Sequence, residues 1–320
     1  REVSDGIAHG GIEYYLPLFF DDTASLLDYL PPGCGIVAPA GPFDHDLFMQ
    51  GLSTLQSMGF QTRVPDEVYD RSGYLAGSDA QRARLVNQLF EEPGVQAIIC
   101  ARGGFGCLRM LPLVDFDIIS TYPKIFVGFS DITALLAAIT RRSKLVTFHG
   151  PMVTPLAKAP AMTRRSLSAA ITSDTPLKIA PAAGVALQDG RATGPVIGGN
   201  LATLCHLLGT PFEAKFENQI LLLEDCGEAP YRIDRMLSQM KLAGSFKGIA
   251  GLILGSFKDC GNLDEIYRIF QDHFQDTNIP ILAGFEVGHG RQNMTIPVGM
   301  AATLDTDQQL LSFAQSATIG

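Results

Sequence analysis

The stretch Lys124-Ile125-Phe126-Val127-Gly128-Phe129-Ser130-Asp131-Ile132-Thr133 decides the fold class. Ile125, Phe126 and Val127 form the continuous apolar run of a strand buried on both faces. Beyond Ser130, the residues Ile132, Leu135, Leu136 and Ile139 change to the i, i+3, i+4, i+7 spacing of a helix. A strand that hands over to a helix is half of a βα unit, and the same alternation recurs on either side. Strands are predicted at 35–39, 61–64, 95–100, 124–129 and 145–148. One helix is marked by Phe48, Leu52 and Leu55, and another by Val86, Leu89 and Phe90, with Ser78 as its cap. Strand-helix repetition of this kind predicts an α/β domain built on a doubly wound, mainly parallel sheet.

Between about 151 and 183 the chain turns rich in Pro, Ala, Ser and Thr, a linker signature. Beyond it come a helix with Leu201, Leu204, Leu207 and Leu208, a strand at 219–223, and a helix from Pro230 carrying Ile233, Met236, Leu237 and Met240. A strand at 251–255, a helix at 263–274 and short strands at 279–283, 294–297 and 301–304 complete a β-rich domain of mixed topology. The expected division is an N-terminal extension at 1–32, an α/β domain at 33–155, a linker at 156–183 and a C-terminal domain at 184–320.

The 320 residues suffice for two such domains, and 46 % apolar against 18 % charged residues excludes disorder and coiled coil. A net charge of −9 repels a phosphate backbone, so nucleic acid is not an expected partner. Cys34, Cys100, Cys107, Cys205, Cys226 and Cys260 fit neither a zinc site nor a disulfide ladder and are read as free thiols. The run from Tyr14 to Phe20 is broken by Pro17 and is too short for a membrane span. The expected compartment is the cytoplasm, or the periplasm if a signal peptide preceded Arg1.

Ser130 occupies the point where strand becomes helix, the construction of a nucleophile elbow, although Ile132 stands where the G-x-S-x-G pattern has Gly. An ordinary helix N-cap is the alternative role. The turn Arg102-Gly103-Gly104-Phe105-Gly106 opens at the end of another strand, where backbone amides can converge on an oxyanion or simply close a tight βα turn. Leu221-Leu222-Leu223-Glu224-Asp225 ends a buried strand in two carboxylates, and His289 lies between Gly288 and Gly290. His149 closes a strand and is a candidate to touch the cleft. His206 reads as a core histidine, and His9, His45 and His273 as surface residues. Ser130, Glu224 and His289 together supply a nucleophile, an orienting carboxylate and a base.

Six ordered blocks carry a resemblance: Ala38-Pro39-Ala40-Gly41, the Arg102 to Gly106 turn, Gly128-Phe129-Ser130-Asp131, Gly198-Gly199-Asn200-Leu201, Leu223-Glu224-Asp225 with Arg232-Ile233-Asp234-Arg235-Met236-Leu237, and Gly288-His289-Gly290. From Gly33 to Phe313 the chain resembles the serine-type LD-carboxypeptidases that trim cell-wall muropeptides, with the microcin-immunity peptidases as close relatives. The resemblance implies a Ser130-Glu224-His289 triad in the cleft between the two domains, an oxyanion hole made by the amides of Gly104 and Asp131, no metal or other cofactor, a muropeptide substrate and a homodimer. Arg102, Arg232, Arg235, Arg291 and Asn200 are the candidates to meet the substrate. Release of terminal D-alanine is the expected reaction. The alternatives are cleavage of an aminoacyl-nucleotide linkage and a non-catalytic cleft that only binds. Residues 1–32 have no counterpart in the resemblance.

Overall fold

The computed structural model describes residues 33–318 together with the antiparallel pair β1 (Gly6–His9) and β2 (Ile12–Tyr15). The remainder of the expected N-terminal extension, including His9's side chain, lies outside the described residues. The first sheet holds β3 (Gly33–Val37), β4 (Gln61–Arg63), β5 (Ala97–Cys100), β6 (Ile125–Gly128) and β7 (Thr147–His149), all parallel, in the order β7-β6-β5-β3-β4. Successive side chains of a strand point to opposite faces, and here each face feeds its own core. Val37, Ile98, Cys100 and Phe126 pack with α2 (Asp79–Glu91). Ile36, Ile99, Val127 and Phe148 pack with α1 (His45–Ser57). Asp44 and Ser78 cap α1 and α2 through bonds to the amides of Leu47 and Gln81. The short helices α3 (Cys107–Met110) and α4 (Phe116–Thr121) precede β6, and α5 (Thr133–Ser143) follows it, buried along almost its whole length.

The second sheet has eight strands: β8 (Lys178–Ile179), β9 (Val185–Gln188), β10 (Arg191–Asn200), β11 (Ile220–Cys226), β12 (Gly251–Lys258), β13 (Ile281–Ala283), β15 (Ala301–Asp305) and β16 (Leu310–Phe313). Their order is β8-β16-β15-β10-β11-β12-β13-β9, parallel from β10 to β13 and antiparallel at the flanks. The helices α8 (Leu201–His206), α9 (Pro230–Leu242) and α10 (Leu263–Phe274) cover one face through Leu204, Ile233, Leu237, Ile266 and Phe270. This is the mixed, β-rich second half that the sequence predicts.

Four details differ from expectation. The strand predicted at 294–297 forms β14 (Ile296–Val298), which leaves the second half and pairs antiparallel with β7 of the first sheet, Ile296 opposite His149 and Val298 opposite Thr147. A run of three residues carries no record of which sheet it will join. The stretch read as a linker contains α6 (Val153–Leu156) and the full helix α7 (Ala161–Thr172). Its buried residues Thr163, Leu167, Ala170 and Ile171 do recur at helical spacing, but two of the four are small or polar, and the stripe is hidden by composition. His206 is exposed at the end of α8 instead of lying in the core. His273 is largely buried, with Nε2 2.8 Å from Asp234 Oδ1 across α9 and α10. All six cysteines are free thiols.

Candidate active site

The first sheet delivers Ser130. β6 ends at Gly128, Phe129 is still extended, and Ser130 turns into the left-handed region at φ +65°. A residue with a Cβ adopts that region at a cost of about 1–2 kcal/mol, so a strained backbone marks this turn. The capping alternative does not describe it: the residue at the N-cap of α5 is Ile132, and no side chain caps it. The departure from the elbow pattern has a steric explanation. A Cβ on Gly128 would stand 2.5 Å from Cγ2 of Ile132, so one glycine makes room for the isoleucine that occupies the place of the other. Across the turn, a Cβ on Gly103 would stand 2.9 Å from Ser130 Cβ and 3.0 Å from its Oγ. The glycine turn and the serine hydroxyl are therefore immediate neighbours.

The glycine turn is held from below. Gly104 and Gly106 take φ +113° and +136°, conformations that glycine alone adopts freely. The fully buried Arg82 donates to the carbonyls of Gly106, at 3.0 Å, and of Pro39. Asp131 Oδ2 accepts the Cys107 amide at 2.8 Å, which ties the serine turn to the glycine turn. Burial pushes the Asp131 carboxyl above its usual range, against the pull of the Cys107 amide.

The second sheet delivers the carboxylate. Glu224, near the end of β11, is wholly buried. Its Oε2 accepts from His289 Nδ1 at 2.7 Å and from the His289 amide at 3.2 Å. Burial alone would raise the Glu224 carboxyl, but the neighbouring imidazoles of His149 and His289 outweigh it and hold the group down at about 2. Burial likewise opposes the charged form of His289, and the Glu224 carboxylate prevails, raising the imidazole above its ordinary value. An ionised carboxylate only accepts, so Nδ1 of His289 carries the proton, and in the neutral ring Nε2 is left as a free base.

Residues that the sequence did not suggest hold His289 in place. Phe129, directly before Ser130, packs edge-on against the His289 ring with centroids 4.9 Å apart, which brings the His289 ring and the Ser130 turn together. The Gly288 amide donates to Asn293 Oδ1 at 2.9 Å. The Asn293 amide donates to Thr163 Oγ1 at 3.0 Å, and the Thr295 amide to Ser166 Oγ at 2.9 Å. The unforeseen helix α7 thus anchors the loop that carries His289. In sequence, its only trace was the spacing of Thr163, Leu167 and Ile171.

The remaining candidates separate. Asn200 stands opposite Glu224 in the β10–β11 register, but its side chain caps α8 through the Thr203 amide and donates to Asp225 Oδ1 at 2.9 Å. Burial lifts Asp225 to about 6, against amide bonds from Cys226 and Ala202. Arg102 and Arg291 are exposed on the loops that carry Gly103 and His289, and Arg102 Nη1 donates to the Pro42 carbonyl at 2.6 Å. Arg232 and Arg235 lie exposed on α9, Arg232 3.5 Å from Glu228 and Arg235 over the Tyr231 ring. Among the described residues, no helix is long and apolar enough to cross a membrane.

Known proteins show the same architecture. Residues 34–150 match the LD-carboxypeptidase N-terminal domain and residues 193–304 the LD-carboxypeptidase C-terminal domain. The chain is 35% identical over 289 residues to the probable murein peptide carboxypeptidase of Bacillus subtilis, covering 86% of this chain and 89% of that protein. It is 32% identical over 286 residues to the murein tetrapeptide carboxypeptidase of Pseudomonas aeruginosa, covering 84% and 92%. The wild-type apo structure of MccF, a microcin C7 self-immunity protein, superposes with a TM-score of 0.85 at 25% identity, over 95% of this chain and 99% of that one. The two-domain fold and the relatives together establish that the chain belongs to the LD-carboxypeptidase family.

Proposed function

We propose that the chain is a serine peptidase that hydrolyses the L-to-D bond releasing terminal D-alanine from a muropeptide tetrapeptide. The observation that carries this reading is the 2.7 Å bond from His289 Nδ1 to the buried Glu224, beside a serine held at φ +65° at a strand end. In this mechanism His289 Nε2 takes the Ser130 proton as Oγ attacks the peptide carbonyl carbon, and Glu224 balances the imidazolium that forms. The carbonyl oxygen, now negative, is received by the amides of Gly104 and Asp131. The tetrahedral intermediate collapses, the C–N bond breaks, and His289 returns its proton to the departing amine of D-alanine. Water then attacks the Ser130 ester by the same relay and frees the tripeptide. Arg102 and Arg291, exposed on the loops that carry Gly103 and His289, are the residues we assign to the terminal carboxylate of the substrate. The reading includes a homodimer and a cytoplasmic setting, with catalysis in the cleft between a unit at 33–155 and a unit at 184–320.

Cleavage of an aminoacyl-nucleotide is the second reading. The exposed rings of Tyr74 and Phe105, 5.7 Å apart and next to Gly104, supply the aromatic platform that a base requires. Mass spectrometry decides between them. Incubation with a muropeptide tetrapeptide is expected to yield tripeptide and D-alanine, and Ser130→Ala none. An untouched tetrapeptide beside a hydrolysed aminoacyl sulfamoyl nucleotide would replace the first reading with the second. Failure of a serine-directed phosphonate to label the protein would remove both.

A further inference from the structure

The reaction outlined above uses one oxygen of Glu224. The other, Oε1, is buried and has no hydrogen-bond partner. An ionised carboxylate oxygen left bare in the interior is costly, so something in the fold has to answer it. The group facing it is His149, at the end of β7, with Nε2 3.8 Å from Oε1. This is beyond the roughly 3.2 Å reach of an N–H···O bond. Both side chains are fully buried, and neither ring nitrogen of His149 has a partner.

The imidazole has no room to turn to other work. A Cβ on Gly199 would stand 3.0 Å from His149 Cδ2, and the Phe129 ring lies 6.0 Å away. Gly128 and Ile296 flank His149 in the sheet. A slot that needed only filling would be served better by an apolar ring, because His149 buries two nitrogens that earn nothing from packing.

We propose that His149 is a positioning residue: it donates from Nε2 to Oε1 of Glu224, so that the carboxylate orienting His289 is clamped between two imidazoles instead of hanging from one. The clamp matters most when His289 takes up the Ser130 proton. A carboxylate free to swing toward the new charge would lose the geometry that aims Nε2 at the serine. His149 belongs to the first sheet, so the clamp also references the acid of the second sheet to the strand beside the nucleophile. This inference rests on the assignment of Ser130, His289 and Glu224 to the chemistry, but not on the identity of the substrate.

The test compares His149→Gln, whose amide reaches the position of Nε2, with His149→Leu, which keeps bulk and loses the donor, and with His149→Asn, whose amide stops at the depth of Nδ1. Labelling of Ser130 by a fluorophosphonate reports nucleophilicity without any peptide substrate. The low-field proton resonance of the Glu224–His289 bond reports the clamp itself. His149→Leu and His149→Asn are expected to label about 10- to 100-fold more slowly than wild type, as loss of an orienting partner does elsewhere. They are also expected to lose or broaden the low-field proton. His149→Gln is expected to keep the proton and to label within about threefold of wild type. Where muropeptide turnover is measurable, the loss is expected in kcat with KM little changed. If His149→Leu fails to fold, the Gln and Asn variants alone decide. Equal behaviour of Gln and Asn, or an unaltered low-field proton in whichever donor-free variants fold, would overturn the proposal. A wild-type protein that labels with phosphonate but leaves muropeptides intact would overturn the substrate reading only.

Discussion

Gly288 passes so close to Glu224 that a Cβ on it would stand 2.1 Å from Oε2 and 2.5 Å from the carboxyl carbon. Its φ of +96° adds a second reason for glycine. Gly288→Ala is therefore expected to displace the carboxylate or the His289 loop. The expected outcome is a loss of turnover of at least about a hundredfold with destabilisation of about 1–3 kcal/mol, measured by peptide release and urea unfolding. Near-normal activity would show that the Glu224–His289 bond is not needed.

The left-handed backbone of Ser130 makes an opposite pair of effects testable at one position. Ser130→Gly removes a Cβ from that conformation and is expected to stabilise the fold by about 1 kcal/mol while abolishing turnover. Ser130→Ala keeps the strain and is expected to be equally inactive with stability within about 1 kcal/mol of wild type. Thermal unfolding and D-alanine release, read on the same samples, check both. Activity above a tenth of wild type in either variant would make Ser130 structural.

Glu224 and Glu228 are four residues apart and differ entirely in surroundings. Glu224 is buried against His289, whereas Glu228 is partly exposed and sits 3.5 Å from an exposed Arg232. Glu224→Gln is expected to lower turnover by about 10³- to 10⁴-fold, as loss of the acid does in other triads. Glu228→Gln removes a surface pair worth about 0–1 kcal/mol and is expected to cost less than about tenfold. Kinetics of the two variants on one substrate separate them, and the reverse ranking would unseat Glu224.

The pH profile follows from the same pair. His289 is held above its ordinary 6.5, because Glu224 outweighs burial. Only the neutral ring can accept a proton, so the acid limb of kcat/KM is expected above that value, and Glu224→Gln is expected to move it down. The stability that charged His289 contributes is complete below 6.5 and lost as pH rises through the raised value. Glu224, lowered from 4.5 to about 2, contributes stability that is complete above 4.5 and lost as pH falls toward about 2. A kcat/KM profile flat down to about pH 5 in the folded enzyme would exclude His289 as the base.

Thr163→Val tests the reach of α7 into the site. It leaves the buried Asn293 amide without its acceptor, at a cost of about 1–3 kcal/mol. Turnover is expected to fall several-fold because Asn293 in turn holds Gly288. Unchanged kinetics with lowered stability would confine α7 to a structural role.

The parallel sheet was legible because short apolar runs such as Ile98-Ile99 and Phe126-Val127 alternate with stretches of helical period. Ser130 was legible from the change of period around it. What escaped was set by partners distant in sequence. α7 hides behind Thr163 and Ala170, and β14 reads like any short strand. The clustering of Phe129, His289 and Thr163 depends on contacts that span over a hundred positions. His206 misled because Leu204 and Leu207 flank it on the helix, yet its own side chain turns outward.

The crossing of β14 into the first sheet makes the order of synthesis consequential. β14 seals the edge of β7 with a segment from the second half of the chain, and it directly follows the loop that carries His289. A nascent chain that has completed β3 to β7 holds Ser130 but has an open strand edge and lacks His289. If Ser130 and His289 act as proposed, the enzyme gains its chemistry only once the second half of the fold has been made. Nor can its halves be exchanged as cassettes, since a transplanted second half would have to bring a strand that fits the register opposite His149.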